Sequence, residues 1–237
     1  ISILVEAKFK DSGKDAYPLI RKKAPDYFKN YVNDHEIYSE KPGAERGVFL
    51  ELFNRYNYLP ITTDSHLGEY IQWAYSIADH EAILDFYNKY RKNCLSFYES
   101  EKSYSNYFDL SKKQKERIVP IIEGIVNDLN YEEAAVNLPN KGYINHLPDD
   151  IVVEVPGVIS KDFVKGVKLE KYPSDFASLL MNQASVMRLT AEAILEKSKT
   201  KALKALLADP VVDNAIAAEK LLNNMIEMQE QHLGYLN

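Results

Sequence analysis

Cysteine is nearly absent from these 237 residues, and Cys94 is the only one. A single thiol excludes an internal disulfide framework and a thiolate metal cluster built from this chain. Glycine is scarce as well, with nine in all and no two of them two residues apart. That spacing excludes a G-x-G-x-x-G dinucleotide loop, a phosphate-binding P-loop and a G-x-S-x-G nucleophile elbow. The most apolar stretch, Ile151 to Ile159, is interrupted by Glu154 and Pro156, so no segment is expected to span a membrane. Positive charge does not dominate either. Lys+Arg 29 against Asp+Glu 35 leaves −6 with no basic block, so nucleic acid is not an expected partner. Without a signal peptide or an Asn-x-Ser/Thr sequon, the chain reads as cytoplasmic.

What is present is an ordinary globular composition, 46% hydrophobic and 27% charged. The chain opens at Ile1, without an initiator Met, on the apolar run Ile1-Ser2-Ile3-Leu4-Val5. It reads as a strand already under way, and so as a piece of a longer protein. Tyr17, Ile20, Ala24, Tyr27 and Tyr31 recur at helical spacing, and Phe49, Leu52, Phe53 and Tyr56 mark a second helix. A third is expected after Asp64, with His66, Tyr70, Trp73 and Ile77 on one face. Ala82 to Cys94 predict a long aromatic helix, Ser100 to Ser111 a loop, and Lys112 to Leu129 a helix that Pro120 would kink. Ala134 to Leu138 and Ile151 to Val155 read as short strands around the turn Pro139-Asn140-Lys141-Gly142. From Ser174 the pattern is helical to the end. Phe176, Leu179, Leu180, Met187 and Ile194 form one stripe, then Leu203, Leu206 and Leu207, then Ala217, Leu221, Met225 and Met228. The sum is an α+β fold, mostly helical with a small mixed sheet, and without a linker that would divide it.

The densest group of reactive side chains is Asp64-Ser65-His66-Leu67-Gly68-Glu69-Tyr70. In a helix begun at Ser65, the His66 imidazole and Tyr70 phenol stand one turn apart and face a common spot. With the Asp64 carboxylate they could move protons. Alternatively, Asp64 is a helix cap and His66 a hydrogen-bonded core residue. Arg46 falls on the apolar stripe at a helix start, where the dipole disfavours a cation by roughly 0.3–1 kcal/mol. It needs a partner, either a carboxylate such as Glu45 or Glu51 or a ligand. Asn137 and Asn140 flank a strand end, where amides suit hydroxyl-rich ligands, although turn chemistry also explains Asn140. Gln183 interrupts an apolar stripe and must find a hydrogen-bond partner. His35, His80, His146 and His232 show no zinc-site spacing. No carboxylate pair stands out as the machinery of ordinary glycosidases.

Several of these pieces together resemble glycoside hydrolase family 4. The resemblance rests on Asp64 to Tyr70, on Val136-Asn137-Leu138-Pro139-Asn140-Lys141-Gly142-Tyr143-Ile144, on Leu147-Pro148-Asp149-Asp150 through Pro156, and on Ala205-Leu206-Leu207-Ala208-Asp209-Pro210. It runs over most of the chain and is strongest to the α-galactosidase, α-glucosidase and α-galacturonidase branch. It implies that residues 1–237 are a C-terminal substrate-binding domain, akin to that of lactate and malate dehydrogenases, whose N-terminal Rossmann domain is absent here. It further implies oxidation of the sugar at C3 by NAD, loss of the C2 proton and elimination of the glycosidic oxygen, with Mn²⁺ holding the C2 and C3 oxygens. By the same resemblance, Asp64, His66 and Tyr70 would serve proton transfer, and Arg46, Asn137 and Asn140 would orient the sugar. The family's dinucleotide glycines, Cys-Asn motif and Gly-x-Asn-His motif do not occur in this chain, so NAD and most metal ligands would come from upstream. His146 stands where the family usually has Asn. An α-linked sugar, the missing N-terminal domain and a second copy of the chain are the partners implied, with the aromatic face from Phe86 to Tyr107 the expected contact surface. Two other readings stay open at this point: the substrate domain of a 2-hydroxy-acid dehydrogenase, and a non-catalytic interaction module.

Overall fold

The computed structural model describes residues 2–31, 41–99 and 117–236. The predicted loop over 100–111 lies outside them. Backbone contacts gather the chain into two units, Ile1–Asn88 with Pro173–Asn237, and Lys89–Tyr172.

In the first unit, a two-residue strand β1 (Ile3–Leu4) pairs antiparallel with β2 (Leu59–Pro60). The Tyr17 hydroxyl ties them, donating to the Leu4 carbonyl and accepting from the Leu59 N–H. Helix α1 (Tyr17–Lys29) starts with Pro18 in its first turn, where no N–H partner is lost. Helix α2 (Gly47–Tyr56) buries Val48, Phe49, Leu52 and Phe53 and stops at Asn57 in the left-handed conformation. The helix expected after Asp64 is a single turn, α3 (Asp64–Leu67), followed by a 3₁₀ turn over Gln72–Ser76. Helix α4 (His80–Glu99) extends beyond the expected Ala82 to Cys94 at both ends, and its residues from Lys89 on count with the second unit.

After α5 (Ile118–Val126) of the other unit, the remaining helices of this one are α6 (Ser174–Leu195), α7 (Lys199–Ala208), α8 (Ala215–Met228) and the short α9 (Glu230–Leu233). Ser198 and Asn214 cap α7 and α8 with their side chains, accepting from Lys201 N and Ala217 N. The buried faces differ from the predicted stripes. Helix α6 buries Phe176, Ala177, Gln183, Ala184 and Ala193, whereas Met187 and Ile194 are exposed. Helix α8 buries Ala218 and Leu222, whereas Leu221 and Met228 are exposed. Small residues let helices approach closely, and here that governs over the larger side chains on the other flank.

The second unit is built on an antiparallel three-stranded sheet, β3 (Tyr131–Pro139), β4 (Val152–Ser160) and β5 (Phe163–Gly166), in the order β3-β4-β5. The α+β class holds. The sheets are antiparallel rather than mixed, because tight turns such as Ser160 to Phe163 join the neighbours directly. Pro156 sits mid-strand without a donor. The β3 register slips between Glu133 and Val136 opposite it, a bulge that spares the ladder a bond proline cannot make. Helix α5 (Ile118–Val126) carries Pro120 in its first turn, so no kink is needed. It lies so close that a Cβ on Gly124 would stand 2.6 Å from the Tyr131 ring and 2.8 Å from Ile159. Arg117 at its start forms a forked pair with Glu133, at 2.6 Å from Nη2 and 3.0 Å from Nε. No described helix is long and apolar enough to cross a membrane.

Candidate functional site

In the first unit, β1 and β2 bring Ser2 beside Ile61, whose N–H donates to the Ser2 carbonyl at 2.9 Å. The chain then turns into α3. Ser2, Ile61, Thr62, His66 and Tyr70 line a hollow of about 220 Å³. That is below the roughly 300–1,000 Å³ of complete small-molecule sites. His66 and Tyr70 do converge, but not on a continuous helix. The chain leaves α3 at Gly68, and the Tyr70 N–H returns to the Leu67 carbonyl at 3.2 Å.

His66 is open to solvent, its side chain 61% exposed, with Nδ1 3.8 Å from Glu69 Oε1. Burial and the neighbouring Glu69 carboxylate push the Tyr70 phenol up from its usual range, so it keeps its proton. Glu69 was not singled out by sequence reasoning, although its place three residues after His66 on a helical turn was the available signal. Gln183 finds the partner its burial demands. Its Nε2 donates to the Tyr70 carbonyl at 3.3 Å and so hangs that residue from α6.

Asp64 does not cap its own helix. Its side chain is 0% exposed, and its oxygens accept from Phe49 N at 2.9 Å and Val48 N at 3.0 Å, in the first turn of α2. Gly47 makes room, since a Cβ there would lie 2.9 Å from the Ile77 carbonyl and 3.4 Å from the carboxylate. Burial raises the Asp64 carboxyl, against the opposing pull of those N–H groups and of Arg46. The expected proton-transfer role therefore meets a carboxylate that is buried and already hydrogen-bonded.

Arg46 pairs with neither Glu45 nor Glu51. Its Nη1 donates to the Thr62 carbonyl at 3.0 Å, and its guanidinium lies over Phe28, Tyr31 and Phe49 at 5.6, 5.5 and 5.1 Å. Desolvated ring contacts are worth about 2 kcal/mol, enough to offset the helix dipole's roughly 0.3–1 kcal/mol. The group thus stands behind the hollow's wall. Its neighbour Glu45 is 4% exposed and holds a left-handed backbone at φ 55°, which costs about 1–3 kcal/mol for a residue with a side chain.

Asn137 and Asn140 belong to the second unit. Asn137 is exposed on β3, opposite Glu154. Asn140 is 0% exposed. Its Nδ2 donates towards the carbonyls of Ile144, Leu147 and Pro148, and its Oδ1 accepts from Ile144 N at 2.8 Å. The expected sugar contact therefore meets an amide that is buried and already hydrogen-bonded to its own loop. Among the described residues no three His, Cys, Asp or Glu side chains group to hold a metal, so those residues by themselves do not form a Mn²⁺ site. Nor does its sequence carry a dinucleotide loop for NAD.

The first unit of this α+β fold presents hydroxyl, imidazole and phenol groups in one hollow. The chain belongs to the family 4 glycosyl hydrolase C-terminal domain family, whose model matches residues 5–212. This decides against the dehydrogenase reading. An α-glucosidase of Erwinia rhapontici is 41% identical over 99% of this chain and 55% of the relative. An α-galacturonidase of Thermoanaerobacterium saccharolyticum is 27% identical over 87% of this chain and 46% of the relative. The chain therefore spans about half the length of these relatives. Among solved structures, Bacillus subtilis lplD superposes with TM-score 0.71 at 23% identity, covering 94% of this chain and 52% of that one. A 6-phospho-α-glucosidase from gut microorganisms, solved with NAD and Mn²⁺, superposes with TM-score 0.66 at 20% identity over 95% of this chain and 52% of that one.

Proposed function

We propose that the complete protein carrying this chain is an NAD- and Mn²⁺-dependent glycoside hydrolase, acting on α-glucosides, α-galactosides or α-galacturonides. The observation that carries this reading is the hollow of Ser2, Thr62, His66 and Tyr70 in a chain of this family. NAD and Mn²⁺ would supply redox and Lewis-acid chemistry, and both are assigned to the half of the relatives that this chain does not span. This chain's own residues do the binding. The Tyr70 phenol, holding its proton, donates to a sugar oxygen, and the His66 imidazole hydrogen-bonds a neighbouring hydroxyl. Asp64 and Arg46 hold the wall from behind. The single thiol of Cys94 supports a reducing, cytoplasmic setting. The exposed Tyr87, Tyr90 and Tyr98 on α4 support a homo-oligomer.

The test is an assay of the complete protein on p-nitrophenyl α-glycosides with NAD⁺, Mn²⁺ and a reductant, run in deuterated water. Cleavage with deuterium at C2 of the product is expected. Cleavage without it, or cleavage by residues 1–237 alone, counts against the reading. His66→Ala and Tyr70→Phe should each lower kcat/KM by about 10²-fold or more.

A further inference from the structure

Two segments of the first unit are laced together directly behind the hollow. From the entry to α2, the Glu45 carbonyl accepts the Asp64 N–H at 3.2 Å, and Arg46 Nη1 reaches the Thr62 carbonyl at 3.0 Å. From the other side, the Asp64 carboxylate returns to Val48 and Phe49. The Glu45 side chain adds the remaining tie. Its Oε2 accepts from Ser65 Oγ at 3.5 Å, and that hydroxyl lies 2.8 Å from Thr63 Oγ1. Thr63 and Ser65 stand between Thr62 and His66, two residues that line the hollow.

Glu45 is an unfavourable choice for this place on folding grounds alone. Its left-handed turn is one that glycine takes without strain, as Gly43 does nearby at φ 72°. Its Oε1 is buried with no hydrogen-bond partner among the described residues. Neither the turn nor the packing requires a carboxyl group. What the side chain adds, and glycine cannot, is an acceptor for the Ser65 hydroxyl, which in turn lies against Thr63 Oγ1.

We infer that Glu45 is a positioning residue for the site, fixing the Thr62–His66 wall of the hollow from behind. This rests on the reading that the hollow receives the sugar. Burial, and then the charge of Asp64, push the Glu45 carboxyl up from its usual range.

Glu45→Gly and Glu45→Gln test it in the complete, cofactor-loaded protein with p-nitrophenyl α-glucoside. Glycine relieves the backbone but loses the acceptor, so Tm should hold or rise while kcat falls at least about tenfold and KM stays within about threefold. Glutamine keeps the shape and the acceptor, so kcat should stay within about threefold of the parent. A second readout does not depend on turnover. The His66 ring proton resonance, assigned by its loss in His66→Asn, should shift or broaden in Glu45→Gly and match the parent in Glu45→Gln. Parent-like kcat and an unmoved His66 resonance in Glu45→Gly overturn the inference, as does a kcat loss that merely follows a falling Tm. If the complete protein cleaves no α-glycoside, the proposed function fails, and the His66 resonance alone still decides whether Glu45 positions the wall.

Discussion

Replacing Asp64 with alanine removes the acceptor for two N–H groups at the start of α2, those of Val48 and Phe49. Those residues are 0% and 3% exposed, so water does not readily take the carboxylate's place. A buried donor left without a partner costs about 1–3 kcal/mol, so the pair amounts to about 2–6 kcal/mol. Set against a typical total of about 5–15 kcal/mol, that approaches unfolding. Asp64→Asn keeps one acceptor oxygen and turns an NH₂ towards the other N–H, so about half of the loss is expected, plus about 0.3–1 kcal/mol for the charge at the helix start. Urea unfolding followed by circular dichroism measures both, with an unchanged m-value marking a pure stability effect. A loss under about 1 kcal/mol for Asp64→Ala at unchanged m would refute the capping argument. The activity of Asp64→Asn separates cap from catalyst. Per folded molecule it should stay within about threefold of the parent, whereas a loss of about 10²-fold or more would return Asp64 to proton transfer.

In the second unit, Asn140→Ala strips Ile144 N and the carbonyls of Leu147 and Pro148 of their partner, and about 2–4 kcal/mol of stability should go with it. Fast amide exchange at Ile144 and protease nicking between residues 141 and 148 would report the loss, and unaltered exchange would contradict it. Gly124→Ala sets helix propensity, worth about 1 kcal/mol in favour of alanine, against a methyl group 2.6 Å from the Tyr131 ring. Overpacking of about 1–3 kcal/mol should win, so Tm should fall, and a rise would show that the ring yields freely. The Arg117 guanidinium holds the Glu133 carboxyl below its usual range. That pair adds stability above the unfolded pKa of about 4.3 and loses it as pH falls through the lower folded value. Glu133→Gln should therefore flatten the acid side of a stability-versus-pH curve, and an unchanged acid slope would discount the pair.

Helix positions were legible because tyrosine, leucine and phenylalanine recur at helical spacing in α1, α2 and α4. Orientation was not legible in α6 and α8. Both carry apolar residues on two flanks, and large side chains such as Met187 and Leu221 outweigh the alanines that face inward. Strand β5 went unread because Phe163-Val164-Lys165-Gly166 is short and charged. At the site, Gln183 could be read because an amide on an apolar face must be paired. Asp64 could not. Its partners lie fifteen and sixteen residues away on another helix, and no local spacing announces a cap supplied from a distance. Arg46 announced its need for a partner but not its answer, which is a main-chain carbonyl and a cage of aromatic faces.

The hold of Gln183 on Tyr70 spans 113 residues of sequence, across the whole of the intervening Lys89–Tyr172 unit. During synthesis the ribosome must therefore deliver the middle of the chain before the outer part has both its pieces. A released product ending near Tyr172 would contain all three strands of that sheet and lack the α6 residue that holds Tyr70. Closure of the first unit waits for its C-terminal segment, and termination before Gln183 would leave the strands intact and the Tyr70 carbonyl without its donor.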